Sequence, residues 1–216
     1  MRLIKLSFAI IALSMVAVAQ NPITADSPFQ VRYASHLNIG ESYINITNTG
    51  ANGNSLNGPG FGGAMGNICA NVYTFSPDEQ LISCCSCLVT PNQVVSLGVN
   101  RDLTGNTLTG VRPTSVVVKL VTTLAGTNGS GTSCTNSAAL ATSANLAAGL
   151  AAWGTTLHAT PTAGVYATTE TAFTPATLSA GELASITNRC VNIIGNGSGF
   201  GICNSCRLGG LGADKL

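Results

Sequence analysis

Three cysteines stand within four positions of this chain, in the segment LISCCSCLVTP that runs from Leu81 to Pro91. The β-branched and apolar residues around them are typical of a β-strand. Because side chains alternate between the two faces of a strand, Cys85 and Cys87 share one face and Cys84 points to the other. Leu81 has the same parity as Cys85 and Cys87, so without a β-bulge it is expected to lie beside them.

The N-terminal segment predicts the compartment in which these cysteines fold. Arg2 and Lys5 precede an apolar run from Leu6 to Val16, and Ala17–Ala19 offers a small-residue cleavage site. The pattern predicts a secretory signal peptide at 1–19 and a secreted protein, extracellular or periplasmic. No later apolar stretch is long enough to predict membrane insertion after signal cleavage.

The cysteines of the mature chain are expected to form disulfides. Their number is even, and an oxidising compartment pairs such cysteines, so we predict four bridges, for which 105 connectivities exist and the clustering of the cysteines limits the choice. Cys84 and Cys85 cannot easily bond each other without strain, so each is expected to reach a distant segment. The predicted disulfide cysteines are Cys69, Cys84, Cys85, Cys87, Cys134, Cys190, Cys203 and Cys206.

Two other uses of the cysteines compete with disulfides. Cys-x-x-Cys is a half-site spacing of zinc and iron–sulfur centres, and the segments 84–87 and 203–206 together offer five thiols. Oxidation outside the cytosol and the absence of a neighbouring histidine argue against this, and we predict no metal and no cofactor. A thioredoxin-type centre needs its motif at a helix N-terminus, whereas RLGGLG follows Cys206 and is a poor helix start.

The composition narrows the class of partner. Removal of the signal peptide leaves seven basic and eight acidic side chains, and only 8% of the whole chain is charged. This near-neutral balance predicts no nucleic-acid partner and little attraction to anionic membranes. Abundant Gly, Ser, Thr and Asn with little charge is typical of a secreted β-protein.

The pattern of strands and turns predicts a mainly β, disulfide-stapled, sandwich-like single domain with two short helices. Residues 20–40 are expected to form an extended leader, and 41–216 the disulfide-rich β domain. One helix is predicted over Ser137–Ala152 from its Ala and Leu spacing. The second is predicted from a capping box, Ser179 with Glu182, to about Cys190. Strands are predicted at 42–47, 68–75, 80–89, 94–99, 115–122, 153–159 and 165–171, with 68–89 a hairpin.

No catalytic residue is predicted, because the candidate groups lack a constellation. His36 and His158 are the imidazoles of the chain, and neither lies in a nucleophile motif. His158 is interpreted as a surface or subunit-contact residue. Asp78 and Glu79 are adjacent in a turn, whereas glycosidase acids face each other across a substrate. The chain is therefore predicted not to be an enzyme.

Other motifs have simpler interpretations. GPGFGG at 58–63 matches a dinucleotide fingerprint only formally and is interpreted as a loop. The triplets at Asn45, Asn128 and Asn196 match glycosylation sequons, which arise often by chance in an Asn-rich chain. The aromatic residues Tyr43, Tyr73 and Phe75 are interpreted as core packing, in preference to a ligand platform.

Two segments carry a resemblance to other proteins. At NVYTFSPDEQLISCCSC and GFGICNSCR the chain resembles a group of uncharacterised secreted Cys-rich bacterial proteins. The resemblance implies a class of small exported proteins, with no assigned activity and no catalytic residue.

Three functions follow as hypotheses. The first is a structural or interaction protein, such as a subunit of an extracellular filament or surface assembly. It would self-associate or join another surface protein by strand addition, with Asn21–Ile39 as the donated segment. The second is a binding module that presents the Asn48–Gly66 loop to a glycan or a protein. The third, less favoured, is a hydrolase or a thiol-redox protein.

Overall fold

The computed structural model describes residues 27–54, 66–204 and 206–208. The predicted signal peptide, the start of the leader and the 58–63 segment lie outside these ranges. The described chain is mainly β-structure: two antiparallel five-stranded sheets pack face to face, and two α-helices cover the outer side of one sheet. The predicted mainly β, sandwich-like fold with disulfides is confirmed.

Each sheet combines strands from distant parts of the sequence. Sheet A has the order β4-β3-β6-β1-β9, with β1 at Phe29–Ala34, β3 at Ile68–Phe75, β4 at Leu81–Val89, β6 at Val116–Leu124 and β9 at Thr174–Pro175. Sheet B has the order β10-β5-β2-β7-β8, with β2 at Tyr43–Asn48, β5 at Val94–Gly98, β7 at Leu150–Ala159, β8 at Tyr166–Ala172 and β10 at Arg207–Leu208. Helix α1 spans Ser137–Leu140 and helix α2 spans Ala180–Gly195.

Alternation along the strands sorts apolar side chains between two cores. In β3, Ile68 and Val72 pack between the sheets, whereas Tyr73 and Phe75 pack under the helices. All eight residues of β3 are buried, because sheet A is covered on both faces. Burial of one large apolar side chain stabilises a fold by about 1.5–3 kcal/mol, so this strand is the centre of the domain.

Helix α2 begins as its capping box predicts, with one change. The Ser179 hydroxyl accepts a hydrogen bond from the Glu182 amide at 3.1 Å. The Glu182 carboxylate instead pairs with Lys119 of β6, so it joins the helix to sheet A. One half of the box therefore caps the helix, and the other half anchors it.

The helix predicted over Ser137–Ala152 is wrong beyond its first turn. Helix α1 ends at Leu140, and the Thr142 amide donates to Asn145 Oδ1 at 2.7 Å in a local turn that competes with helical hydrogen bonds. From Leu150 the chain is already β7, paired with β2. The Ala and Leu spacing fits an alternating strand as well as a helix, and sheet pairing decides between them.

Part of the extended leader predicted over residues 20–40 is a strand of sheet A. Phe29–Ala34 form β1, which pairs with β6 of the same chain along its whole length. The inward-facing positions of β1 include Gln30 and Arg32, which are buried but polar. These two residues hide the apolar alternation that marks a strand in the sequence.

The partly buried carboxylate of Glu41 ties the start of β2 to a π-helical turn at Val99–Leu103. Glu41 Oε1 accepts a hydrogen bond from the Asn100 amide at 2.7 Å, and Oε2 accepts one from the Arg101 amide at 3.1 Å. Burial raises the pKa of Glu41, and these hydrogen bonds, together with the charge of Arg101, oppose the shift only in part.

Glu41→Gln is expected to flatten the pH dependence of stability. Because the folded state binds this proton more tightly than the unfolded state, the free energy of unfolding falls as the pH rises from about 4.5 through the raised pKa. A glutamine at this position does not titrate. Denaturant titrations of both proteins between pH 4 and pH 7 measure the two slopes, and parallel profiles would contradict the assignment.

Candidate interaction site: an exposed edge strand

Strand β8 is the most exposed regular element of the described chain. It pairs with β7 on one side, from Tyr166 opposite Ala159 to Ala172 opposite Trp153, and it forms an outer edge of sheet B. All seven of its residues are exposed. Such an edge presents unpaired backbone donors and acceptors to any strand that approaches.

The hydrogen-bond pattern shows which backbone groups of β8 point outwards. The Phe173 amide donates to the Ala152 carbonyl at 2.8 Å, which makes these two residues a hydrogen-bonded pair. Because the direction alternates along an antiparallel strand, Thr169 and Thr171 also face β7. The amides and carbonyls that face away from the sheet are those of Tyr166, Thr168, Glu170 and Ala172.

Pieces of the same chain cover parts of the other sheet edges. The Cys84 amide of β4 donates to the Gly201 carbonyl at 2.8 Å, and Cys84 forms a parallel bridge with Ile202. Strand β10 covers β5, and β9 covers the first half of β1. Among the described residues, β8 is thus the long edge without a cover.

A histidine covers the part of β7 that extends beyond β2. His36 Nδ1–H donates a hydrogen bond to the Leu157 carbonyl at 2.7 Å. The His36 ring packs edge-to-face against the His158 ring, with 5.5 Å between the ring centroids. His158 Nε2 lies 2.9 Å from the Thr169 hydroxyl of β8. The two histidines therefore brace the β7–β8 hairpin. His158 is partly exposed, in line with its interpretation as a surface residue, and its role at a subunit contact stays a prediction.

Arg32 fastens the inner face of this hairpin to sheet A. Its Nη2 donates to the Thr156 hydroxyl at 2.8 Å and its Nε donates to the Thr171 hydroxyl at 3.2 Å. The guanidinium lies against Gly154, where a Cβ atom would stand only 2.8 Å from Arg32 Cζ. A side chain at that position would displace Arg32, which explains the glycine in the middle of β7.

The environment of Arg32 is unusual for a buried cation. Only 6% of the residue is exposed, and its Nη1 has no hydrogen-bond partner in the described part of the chain. Burial lowers the pKa of Arg32, because threonine hydroxyls replace water without supplying a negative charge. The sequence does not indicate a role for Arg32, because residues 20–40 show little strand periodicity and are predicted to form a leader.

The eight predicted cysteines form four disulfides, so the disulfide prediction is confirmed. Three of the bridges leave β4: Cys84 bonds helix α2, while Cys85 and Cys87 bond the C-terminal segment. Cys84 packs under the helices and Cys87 packs between the sheets, as the alternation predicts. The bridges are Cys69–Cys134, Cys84–Cys190, Cys85–Cys203 and Cys87–Cys206.

A β-bulge changes the position of Leu81. Thr74 pairs with Ser83 but Phe75 pairs with Leu81, so Ile82 is the extra residue of β4. Leu81 consequently packs under the helices with Cys84, and Ile82 packs between the sheets. The expectation for an unbulged strand, with Leu81 beside Cys85 and Cys87, is wrong.

The cysteine geometry bears on the metal and redox interpretations. The sulfur atoms of Cys85, Cys87 and Cys206 lie within 4.8 Å of one another, but each of them is in a disulfide. Cys203 and Cys206 bond β4 and not each other, and Arg207 that follows them begins a strand. This arrangement differs from the thioredoxin motif, in which the two cysteines pair at a helix N-terminus.

An open cavity of about 390 Å³ lies beside these bridges, between β4, helix α1 and the C-terminal segment. Its lining includes Ser86, Asn136 and Ile202, and the described residues around it contribute no acidic, basic or imidazole side chain. The cavity therefore offers hydroxyl and amide contacts without a group for acid–base chemistry.

The remaining predicted features occupy ordinary positions. Tyr73 is buried and its hydroxyl donates to the Ala138 carbonyl at 2.6 Å; Phe75 is buried as well, so core packing is confirmed for both. Burial raises the pKa of Tyr73. Asp78 and Glu79 are exposed in the hairpin turn, as predicted. Among the sequon asparagines, Asn45 is buried.

Comparison with protein-family models, with curated proteins and with solved structures gives no significant match to this chain. Within the described residues, no helix has the length and apolar character needed to cross a membrane. Four disulfides are typical of proteins that fold in an oxidising environment outside the cytosol.

Proposed function

We propose that this protein is a secreted structural or interaction protein that joins other chains by addition of a strand to the edge of β8. The observation that carries the proposal is the contrast between edges: among the described residues, nothing lies against the free edge of β8, whereas segments of the same chain lie against β5, against β4 at Cys84 and against the first half of β1. Natural sheets block free edges with charged side chains, lysine above all, with proline or with bulges. Strand β8 reads YATTETA, pairs with β7 without a bulge, contains neither lysine nor proline, and has Glu170 as its one charged residue.

The surroundings of β8 favour binding over flexibility. Arg32 fixes the hairpin to sheet A on its inner face, and His36 and His158 brace the hairpin where it extends beyond β2. A strand held in this way loses little conformational entropy when a partner pairs with it. The edge is therefore pre-organised for backbone pairing.

In this proposal, Asn21–Ile39 is no longer the segment that one chain donates to the next. Residues 29–34 already pair with β6 of their own chain, so β8 takes their place as the assembly element. The signal peptide and the four disulfides support export, and the low charge of the chain lets β-surfaces approach each other. A filament or surface assembly is the proposed context.

Thr168→Pro tests the proposal, because proline removes an amide that points away from the sheet and leaves the β7–β8 hydrogen bonds intact. The mature wild-type protein is expected to associate in sedimentation velocity runs over a concentration series. The proline variant is expected to associate at least about tenfold more weakly. Electron microscopy of both proteins shows the form of the assembly.

Two further variants keep this test decisive. Thr168→Ser retains both the amide and the hydroxyl and is the matched control, which is expected to associate like wild type. Thr168→Lys places a charge at the edge and replaces the proline variant should that one fail to fold. Wild-type protein that stays monomeric at every concentration, or a proline variant that associates normally, would refute the proposal.

A further inference from the structure

We infer that the partner strand at this edge is β8 of a second copy, which pairs antiparallel to the first with Thr169 on the two-fold axis. This inference rests on the proposed function, since it names the partner of the same edge. Three features of the described strand, namely its length, its charge and its aromatic end, select the partner and the register.

The length of the strand selects Thr169 as the centre. Strand β8 runs from Tyr166 to Ala172, and Thr169 is its middle residue. Two antiparallel copies therefore overlap completely only when Thr169 lies opposite itself. In that register each outward-facing residue lies opposite an outward-facing residue of the second copy, which is the condition for paired hydrogen bonds.

The charge of the strand selects the same register. Glu170 is the charged residue of β8. A pairing centred on Glu170 would place two carboxylates directly opposite each other, which is destabilising. A pairing centred on Thr169 places Glu170 opposite Thr168 of the second copy, where a hydroxyl faces the carboxylate.

The side chains at the ends of the strand complement each other. Tyr166 is 44% exposed, and in this register it lies opposite Ala172 of the second copy. Ala172 pairs with Trp153 of β7, so the three side chains share one face of the joined sheet. The small alanine leaves room for Tyr166 to reach towards Trp153, which is the single tryptophan of the chain.

The symmetry of the contact determines its product. An isologous contact uses the same patch on both copies and closes on itself, so this edge yields a dimer with one continuous sheet made of both sheets B. The dimer leaves no free β8 edge. Growth into a filament then requires a second, different contact.

Three variants that each add one cysteine to the disulfide-bonded chain measure the register directly, namely Thr168→Cys, Thr169→Cys and Glu170→Cys. In the inferred pairing, Thr169 is a non-hydrogen-bonded pair with its own copy, with Cα atoms about 4.5 Å apart, which a disulfide spans. Residues 168 and 170 lie two positions away from their own copies, at roughly 8 Å or more, which is too far. Mild oxidation followed by non-reducing electrophoresis and mass mapping measures the cross-links.

We expect cross-linked dimer from Thr169→Cys and about tenfold less from the other two variants. A blue shift of Trp153 fluorescence on association of the wild-type protein is expected from the approach of Tyr166. Preferential cross-linking at position 168 or 170 would overturn the register. Association that Thr168→Pro blocks, without a cross-link at any of the three positions, would refute self-pairing and leave strand addition intact. A monomeric wild-type protein would refute both.

Discussion

Replacement of Cys84 and Cys190 by alanine is expected to lower the free energy of unfolding by about 3 kcal/mol, which corresponds to a fall of about 9 °C in Tm for a domain of this size. The two residues are 106 positions apart, a separation that on its own predicts a loss of nearly 5 kcal/mol. The smaller value follows from the neighbouring bridge. With Cys85–Cys203 intact, the loop that Cys84–Cys190 closes contains only about 15 residues.

Denaturant titrations of wild type and the double variant, monitored by far-ultraviolet circular dichroism, measure this loss. The matched control is Cys69→Ala with Cys134→Ala, which removes a bridge of separation 65 that no other disulfide shortens. That control is expected to lose about 4 kcal/mol by the same loop-entropy relation. A loss near 5 kcal/mol for the Cys84 and Cys190 variant would show that the bridges of β4 act independently.

The sequence predicts those parts of the fold that local chemistry determines. The β3–β4 hairpin follows from Pro77 and Asp78 between two β-rich runs, and helix α2 follows from Ser179 and Glu182. Alternation also separates Cys84 from Cys85 and Cys87 correctly. These features depend on residues a few positions apart, so no knowledge of the tertiary structure is needed.

Features that depend on tertiary pairing are not visible in the sequence. The bulge at Ile82 reverses the side on which Leu81 packs, and no residue type at that position signals it. Strand β1 is missed because buried Arg32 and Gln30 find polar partners in β7, at Thr156 and at the Leu150 carbonyl. The partners of Arg32 and Gln30 lie more than a hundred positions away, whereas the bulge lies within the β3–β4 hairpin and depends on how its two strands pair.

The candidate interaction site is also only partly predictable from the sequence. The sequence predicts that 165–171 is extended, and β8 confirms this. Its position at an open edge depends on strand order, because the next strand, β9, crosses to sheet A and leaves β8 without a second neighbour. Thr168 and Glu170 become candidate residues only once that order is known.

Removal of the two bridges between β4 and the C-terminal segment is expected to have the largest effect. We define residues 201–204 and 206–208 as the C-terminal latch, which covers the edges of β4 and β5. In a variant with alanine at Cys85, Cys87, Cys203 and Cys206, two closed loops of about 15 and about 7 residues are lost. The expected fall in the free energy of unfolding is about 5 kcal/mol.

The same variant is expected to assemble beyond the dimer, because release of the latch opens the edges of β4 and β5 as further sites for strand pairing. Sedimentation velocity measures the growth, and hydrogen exchange at the Cys84 amide, which now donates to Gly201, reports whether the edge has opened. The control removes Cys87–Cys206 alone. It retains Cys85–Cys203, so it is expected to lose only about 2 kcal/mol and to keep the Cys84 amide protected.

Addition of Thr168→Pro to the latch-free variant distinguishes assembly through β8 from assembly through the edges that the latch releases. With β8 blocked, the edges that the latch releases, those of β4 and β5, are the remaining sites for strand pairing, so assemblies are expected to be smaller than those of the latch-free variant with β8 intact. Undiminished growth of the combined variant would mean that β8 is not one of the contacts, and that aggregation of the partly unfolded chain explains the growth instead. A fall in assembly size when β8 is blocked would establish that β8 remains a contact while the disulfides of β4 keep the other edges closed.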